Sequence, residues 1–282
     1  MGLSTVMQTA LSGMSAAQAL MQVTANNLAN LQTPGFQAAN VHLATLAPQT
    51  LSGGFGNPIQ VGRGVFVTGI DTDFSQGTIV SDDQLPLLAL DGEGLFILEG
   101  RDGGRLYTRD GQFRLNADGD LVTADGDRVL GFAIDAEGHI DRSQLSPLAI
   151  HLGSQAPGVN GMAAILRSYS ISRDGRIVGR YSDGKNRTLG QLRLARFANS
   201  AGLARRPGNT YQATLASGLP SESDPGEAGA GEIVGGAMEL SNVDLGRQLI
   251  ELTLAGNLFS VNAAVFRTAD TLLGELFFPW RR

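Results

Sequence analysis

Two stretches of this 282-residue chain repeat their apolar positions every seven residues, and they lie at its two ends. Alternating steps of four and three from Leu3 pick out Met7, Ala10, Met14, Ala17, Met21, Thr24, Leu28 and Leu31, of which only Thr24 is polar. The same steps from Leu245 pick out Leu249, Leu252, Gly256, Phe259, Ala263, Phe266, Asp270, Leu273 and Phe277, with Gly256 and Asp270 breaking the stripe. A sustained seven-residue period predicts helices with a coiled-coil seam, here over residues 1–31 and 244–278. Val6, Leu11, Leu20 and Val23 widen the first stripe, and Leu254, Leu258, Val261, Val265 and Leu272 the second. Helices this apolar require burial on several sides. A helix of about 30 residues is roughly 45 Å long, more than a cap on a small β domain needs. The expected partners are the other terminal helix and neighbouring copies of the chain; the alternative is that each helix caps its own β domain.

Between the ends the pattern shortens. Residues 37–65 carry no clear period and read as a loop or extended arm. Strands are expected at 65–67, 77–80, 87–90, 95–98, 106–109, 112–115, 121–123, 128–132, 168–172, 176–181 and 191–197. Asp91-Gly92, Asp102-Gly103, Asp110-Gly111, Asp118-Gly119, Asp125-Gly126, Glu137-Gly138, Asp174-Gly175 and Asp183-Gly184 mark hairpin turns in which both central residues take positive φ. Calcium loops are the sharper reading of such pairs, and the spacing of the acids does not fit one. Residues 153–163 read as a loop, and residues 216–236, rich in Gly, Ser, Pro and acids, as a linker. Ser241-Asn242-Val243-Asp244 supplies caps for the last helix and Pro279 ends it. The fold class is α+β: discontinuous N- and C-terminal helices forming a coiled-coil layer, with a β-rich middle domain. The expected division is 1–35 with 240–282 as terminal-helix domain, 36–70 as linker or arm, and 71–239 as β-rich outer domain.

Composition removes several function classes. The formal net charge is −6 with both signs scattered, so no basic stripe points to nucleic acid. There is no cysteine, hence no disulfide or thiolate metal site. His42, His139 and His151 lack metal-ligand spacing, and Ser241 lies in no nucleophile elbow. Neither catalytic residues nor cofactor or metal ligands are expected. No cleavable leader is read at the start and no run of eighteen apolar residues occurs, so no membrane insertion is expected. Residues 1–31 contain no Lys or Arg, which argues against a membrane-surface helix.

Five motifs then point to a family. Ala25-Asn26-Asn27-Leu28-Ala29-Asn30 followed by Thr33-Pro34-Gly35-Phe36 resembles the N-terminal motif of the bacterial flagellar rod and hook proteins. Asp73-Phe74-Ser75-Gln76-Gly77, Leu88-Ala89-Leu90-Asp91-Gly92-Glu93-Gly94-Leu95-Phe96, Tyr107-Thr108-Arg109-Asp110-Gly111-Gln112-Phe113 and Gly236-Ala237-Met238-Glu239-Leu240-Ser241-Asn242-Val243-Asp244-Leu245 are similar to further motifs, in the same order. The stretch from Tyr169 to Leu192 resembles the hook protein more than the rod. The short segment 150–165 leaves little room for the outer domain many hook proteins carry, which keeps the distal rod, or drive shaft, as the alternative. The chain departs from the family at Gly256-Asn257, where Gln-Arg is usual, and at Gln32, where Asn is usual.

The resemblance implies export by the flagellar type III apparatus without cleavage. It implies helical self-assembly into a hollow torque-transmitting tube, contacts with neighbouring axial and junction proteins, and a place in the hook or the basal-body rod. The residues it points to are packing residues: Leu3, Met7, Met14, Met21, Leu28 and Leu31 on the first helix, and Leu245, Leu249, Leu252, Phe259, Asn262, Phe266 and Leu273 on the last. Asn26, Asn27 and Asn30 are placed either to bond neighbouring backbones across a subunit boundary or to solvate a helix face and cap its end, and Asn242 stands among the expected caps of the last helix. Pro34 and Gly35 end the first helix and permit a turn, and Phe36 and Phe74 are placed either to anchor the linker against the β domain or to join the ordinary core.

Overall fold

The computed structural model describes residues 2–51, 59–82, 87–134, 139–157 and 163–277. Pro279, the Glu137-Gly138 pair, Gly158 and Gly161 of the expected loop, and Gly53, Gly54, Gly56 and Pro58 of the expected arm lie outside the described residues. The chain divides into two compact units: residues 1–31, 38–73 and 243–282, and residues 32–37 with 74–242. The fold is α+β, as the periodicities require.

In the first unit, helix α1 (Leu3–Ala29) pairs with helix α2 (Leu245–Phe277). Asp244 caps α2, its Oδ1 accepting the Arg247 N–H at 3.0 Å. The Asn27 side chain meets Gln248, and Gly13 lies against Asn262. Fourteen residues separate Asn27 from Gly13 and fourteen separate Gln248 from Asn262, so the helices run antiparallel and in heptad register.

The α1 stripe faces inward as read: Ala10, Ala17 and Thr24 are buried, and Leu3, Met7, Met14, Met21 and Leu28 are half-buried. On α2 the reading is half corrected. Leu252, Phe259, Phe266 and Leu273 face inward, but they alternate with Gln248, Ala255, Asn262 and Ala269, while Leu245, Leu249 and Asp270 are exposed. The reason is approach distance. A Cβ at Gly13 would come within 2.6 Å of the Asn262 amide, so the helices approach closely through small residues and turn six of the eight leucines of α2 outward.

The expected arm contains paired strands instead. Ala39–Thr45 runs antiparallel to Val65–Thr72 with a bulge after His42, and Gln49–Leu51 pairs with Ile59–Val61. Small and polar residues in 39–45 hide the two-residue period there. The Ser12 hydroxyl on α1 accepts the Val65 N–H at 3.2 Å.

In the second unit, fourteen strands among the described residues join one antiparallel network. Its central strand, Leu95–Glu99, pairs with Arg105–Thr108, Arg128–Ala133 and Leu194–Arg196. Phe96 and Leu98 enter one apolar cluster with Leu88, Leu90 and Leu192, and Leu95 and Ile97 enter another with Tyr107, Tyr211 and Leu203. The strand is thus buried on both faces, which is why it reads as an unbroken apolar run.

Five of the Asp-Gly pairs, at 102, 118, 125, 174 and 183, do join consecutive antiparallel strands. Only the glycines take positive φ, so these are three-residue loops ending in a left-handed glycine. Asp110-Gly111 is not a hairpin turn. Arg105–Thr108 and Arg114–Leu115 pair with other strands, and Gly111 is there because a Cβ would lie 1.7 Å from the Leu88 carbonyl oxygen. The expected linker 216–236 is also folded in: Glu232–Gly235 pairs with Leu88–Asp91, Ile233 is fully buried, and the Asp224 carboxylate takes hydrogen bonds from Arg142 and Arg193.

Candidate assembly interface

The pairing of α1 with α2 leaves an apolar outer surface. Leu249, Ile250, Leu254, Leu258, Val261 and Val265 are exposed on α2, Val6 and Leu11 on α1, and Leu43, Phe66 and Ile70 on the strand pair. Over an 18-residue window α2 reaches a mean hydropathy of 1.5 with 6 % of it buried, so by length and composition it is apolar enough to cross a membrane. A search for unbroken apolar runs passes over this window because it holds isolated charges. Such a surface on a chain of this size demands a partner.

Of the expected packing residues, Leu3, Met7, Met14, Met21 and Leu28 on α1 and Leu252, Phe259, Asn262, Phe266 and Leu273 on α2 are half-buried. Leu31 is half-buried just past the end of α1, its N–H on the Leu28 carbonyl. Leu245 and Leu249 belong to the outer surface. The three asparagines have separate tasks. Asn27 is buried; its Nδ2 donates to the Ala39 carbonyl at 2.8 Å and to Gln248 Oε1 at 3.1 Å, and its Oδ1 accepts the Ala39 N–H at 2.9 Å. It therefore joins both helices and the start of a strand within one chain. Asn30 Nδ2 donates to the Asn26 carbonyl at 2.9 Å and closes the helix end, while the Asn26 side chain is exposed.

The remaining expected residues gather in the second unit around an ion pair that the sequence reading did not single out. Arg109 Nε lies 2.6 Å from Glu239 Oε2, with the two side chains 4 % and 1 % exposed. Arg109 also donates to the Gly94 and Gly92 carbonyls, at 2.7 Å each, and Glu239 Oε1 accepts the Gly77 N–H at 2.9 Å. Gln76 accepts the Gly92 N–H at 3.1 Å.

Gly35, at φ 62°, donates its N–H to the Glu239 carbonyl, and its missing Cβ would stand 2.5 Å from the Asp110 nitrogen. Asn209 Nδ2 donates to the Pro34 carbonyl at 3.0 Å. Phe36 is buried under the Arg205 guanidinium, 4.8 Å above its ring, and Phe74 packs on Tyr211 with ring centres 5.0 Å apart. Asn242 Nδ2 reaches Gln37 Oε1 at 3.1 Å and the Ser75 carbonyl at 3.0 Å. Residues of all five sequence motifs thus meet in one junction.

A sequence profile of the flagellar hook protein FlgE/F/G D1 domain matches residues 89–179, and one of the flagella basal body rod protein matches residues 7–37. The flagellar basal-body rod protein FlgG of Bacillus subtilis is 33 % identical over 275 residues, covering 94 % of this chain and 95 % of its own length. The chain belongs to the flagellar rod and hook protein family. The flagellar hook protein FlgE of Escherichia coli is 31 % identical over 201 residues, 64 % of this chain and 50 % of that protein. A crystal structure of the Helicobacter pylori hook protein FlgE2 aligns over 65 % of this chain and 47 % of that one, at 13 % identity and a TM-score of 0.25.

As a member of that family the chain is a structural protein of the bacterial flagellum and not an enzyme. Arg109 and Glu239 were both inside quoted motifs; what the sequence lacked was any sign that charges 130 positions apart pair.

Burial raises the pKa of the Asp110 carboxyl above its ordinary value, against the lowering effect of the Gln112 N–H it accepts. The ionised form is therefore disfavoured in the folded chain. Asp110→Asn is expected to raise the unfolding temperature at neutral pH, with the gain fading as pH falls through the carboxylate range. Thermal melts of both proteins between pH 3.5 and 7 check this.

Proposed function

We propose that the chain is a basal-body rod subunit that polymerises with its own copies into a hollow helical tube and transmits torque as a shaft. The supporting observation is the apolar outer surface that remains after α1 and α2 have paired. Packed side by side around an axis, such hairpins cover one another's leucines and form a continuous helical layer. Rod rather than hook rests on length: the chain spans 95 % of the Bacillus subtilis rod protein and 50 % of the hook protein. The hook-like segment from Tyr169 to Leu192 keeps the hook as the second reading. Export through the flagellar type III apparatus, and contacts with neighbouring axial and junction proteins, belong to the same proposal.

Leu254 and Leu258, one turn apart on the outer face, test it. Each buried leucine contributes about 1.5–3 kcal/mol. The Leu254→Asp/Leu258→Asp variant is expected to need roughly 100-fold more protein to polymerise, with the circular dichroism of its β structure unchanged. Filaments at the wild-type concentration, scored by sedimentation and electron microscopy, would refute the interface. Flotation of the wild-type chain with liposomes would favour a membrane role for α2 instead. Gold labelling of isolated hook–basal bodies decides location; label along the hook would overturn the rod assignment.

A further inference from the structure

Every large side chain on the inward stripe of α1 between its two end leucines is a methionine. From Leu3 to Leu28 the stripe runs Met7, Ala10, Met14, Ala17, Met21 and Thr24. Ala10, Ala17 and Thr24 are buried, and the three methionines that alternate with them are half-buried. Half of the six methionines of the chain thus stand at seven-residue intervals on one helix face.

The register of the hairpin says what each one meets. Asn27 bonds Gln248 and Gly13 lies against Asn262, which sets Met7 level with Phe266 and Ala269, Met14 with Phe259 and Asn262, and Met21 with Leu252 and Ala255. On α2, Ala255 and Ala269 are buried and the other four half-buried. Five of these six side chains carry no hydrogen-bond donor. The sixth, Asn262, turns its amide back to the Leu258 carbonyl at 2.8 Å.

A thioether suits such a seam, being apolar and adaptable in shape. A sulfoxide does not. It adds a polar oxygen that needs a donor, and burying it without one is costly. Half-buried methionines also remain within reach of a small oxidant.

We propose that the α1–α2 seam is an oxidation-sensitive joint: conversion of Met7, Met14 and Met21 to sulfoxides by a peroxide separates the two helices. Each thioether sulfur attacks one oxygen of hydrogen peroxide. The O–O bond breaks as the S–O bond forms, and the electron pair given up by sulfur reduces the peroxide. The proton on the transferred oxygen passes to the departing hydroxide, which leaves as water. Methionine sulfoxide reductases reverse the change at the expense of a thiol. Separation also dismantles the outer apolar face built from both helices, so oxidised chains stay out of the polymer. That last consequence rests on the reading of the chain as a polymer subunit.

Full-length wild type and the Met7→Leu/Met14→Leu/Met21→Leu variant are treated with hydrogen peroxide, and peptide mass spectrometry scores each methionine. Leucine conserves the volume closely and has no sulfur to oxidise. The variant retains Met1, Met162 and Met238, so damage there shows in both proteins. Oxidised wild type is expected to lose hydrogen-exchange protection over α1, to melt about 10 °C lower in its helical circular dichroism, and to need about tenfold more protein to polymerise. Reductase treatment is expected to restore all three, and the leucine variant to show none of these losses. Sulfoxide at all three positions with the protection of α1 intact overturns the joint. So does failure of the three to oxidise while Met238 converts, or an equal loss in the leucine variant. Should the leucine variant be unprotected before treatment, the wild type decides alone, and protection that the reductase does not restore overturns the proposal. A reduced wild-type chain that never polymerises overturns the proposed function and leaves the joint to the exchange measurement.

Discussion

Glu239→Ala is expected to destabilise the unit of residues 32–37 and 74–242 by about 3–5 kcal/mol, the cost of leaving a buried charge without its partner. The Arg109 guanidinium stays in place, held by the Gly92 and Gly94 carbonyls, and its Nε faces the space the carboxylate left. The Gly77 N–H loses its acceptor as well. Glu239→Gln keeps a single acceptor oxygen, enough for one of the two donors, and sets an NH2 donor against the other, so it should recover only part of the loss. Arg109→Lys should cost nearly as much as the alanine variant, because one ammonium group cannot reproduce a fork that meets Glu239 and two carbonyls in different directions. Chemical denaturation followed by hydrogen exchange over residues 88–99 reads this unit directly. A loss below about 1 kcal/mol for Glu239→Ala would mean that the pair is hydrated and does not organise the junction.

Asn27→Ala should act on the other unit. Three hydrogen bonds disappear from a buried site, leaving the Ala39 N–H, the Ala39 carbonyl and Gln248 Oε1 without that partner. At about 1–3 kcal/mol for each buried group left unpaired, and with some repair by water, the expected loss is roughly 3 kcal/mol or more. Asn26→Ala, one position away and exposed, should stay within about 0.5 kcal/mol of wild type. Helix-localised hydrogen exchange separates the two variants. Equal effects would show that the amide at position 27 serves only the helix end and not the joint between α1, α2 and the strand that begins at Ala39.

How much of this was legible in advance depends on the range of the interaction. The first helix, the central strand Leu95–Glu99 and five of the Asp-Gly loops follow from local chemistry, and all were readable. Residues 39–45 and 216–236 were misread, because small residues, glycine and acids look flexible in sequence even where backbone pairing and Arg–Asp contacts hold them. The second helix shows the same limit more sharply. Leu245 and Leu249 are large and in register, yet Gln248, Ala255, Asn262 and Ala269 share the seam. Volume ranks residues by what they gain from burial; it does not say which face can come close enough to Gly13.

From the chain alone came the α+β class, the two long terminal helices and the family, because each depends on period, composition or contiguous motif. Only the folded molecule decided which leucines of α2 face outward, that Asn27 is spent within its own chain, and that Arg109 meets Glu239. Those facts depend on which distant segments become neighbours, and a one-dimensional pattern holds no record of distance.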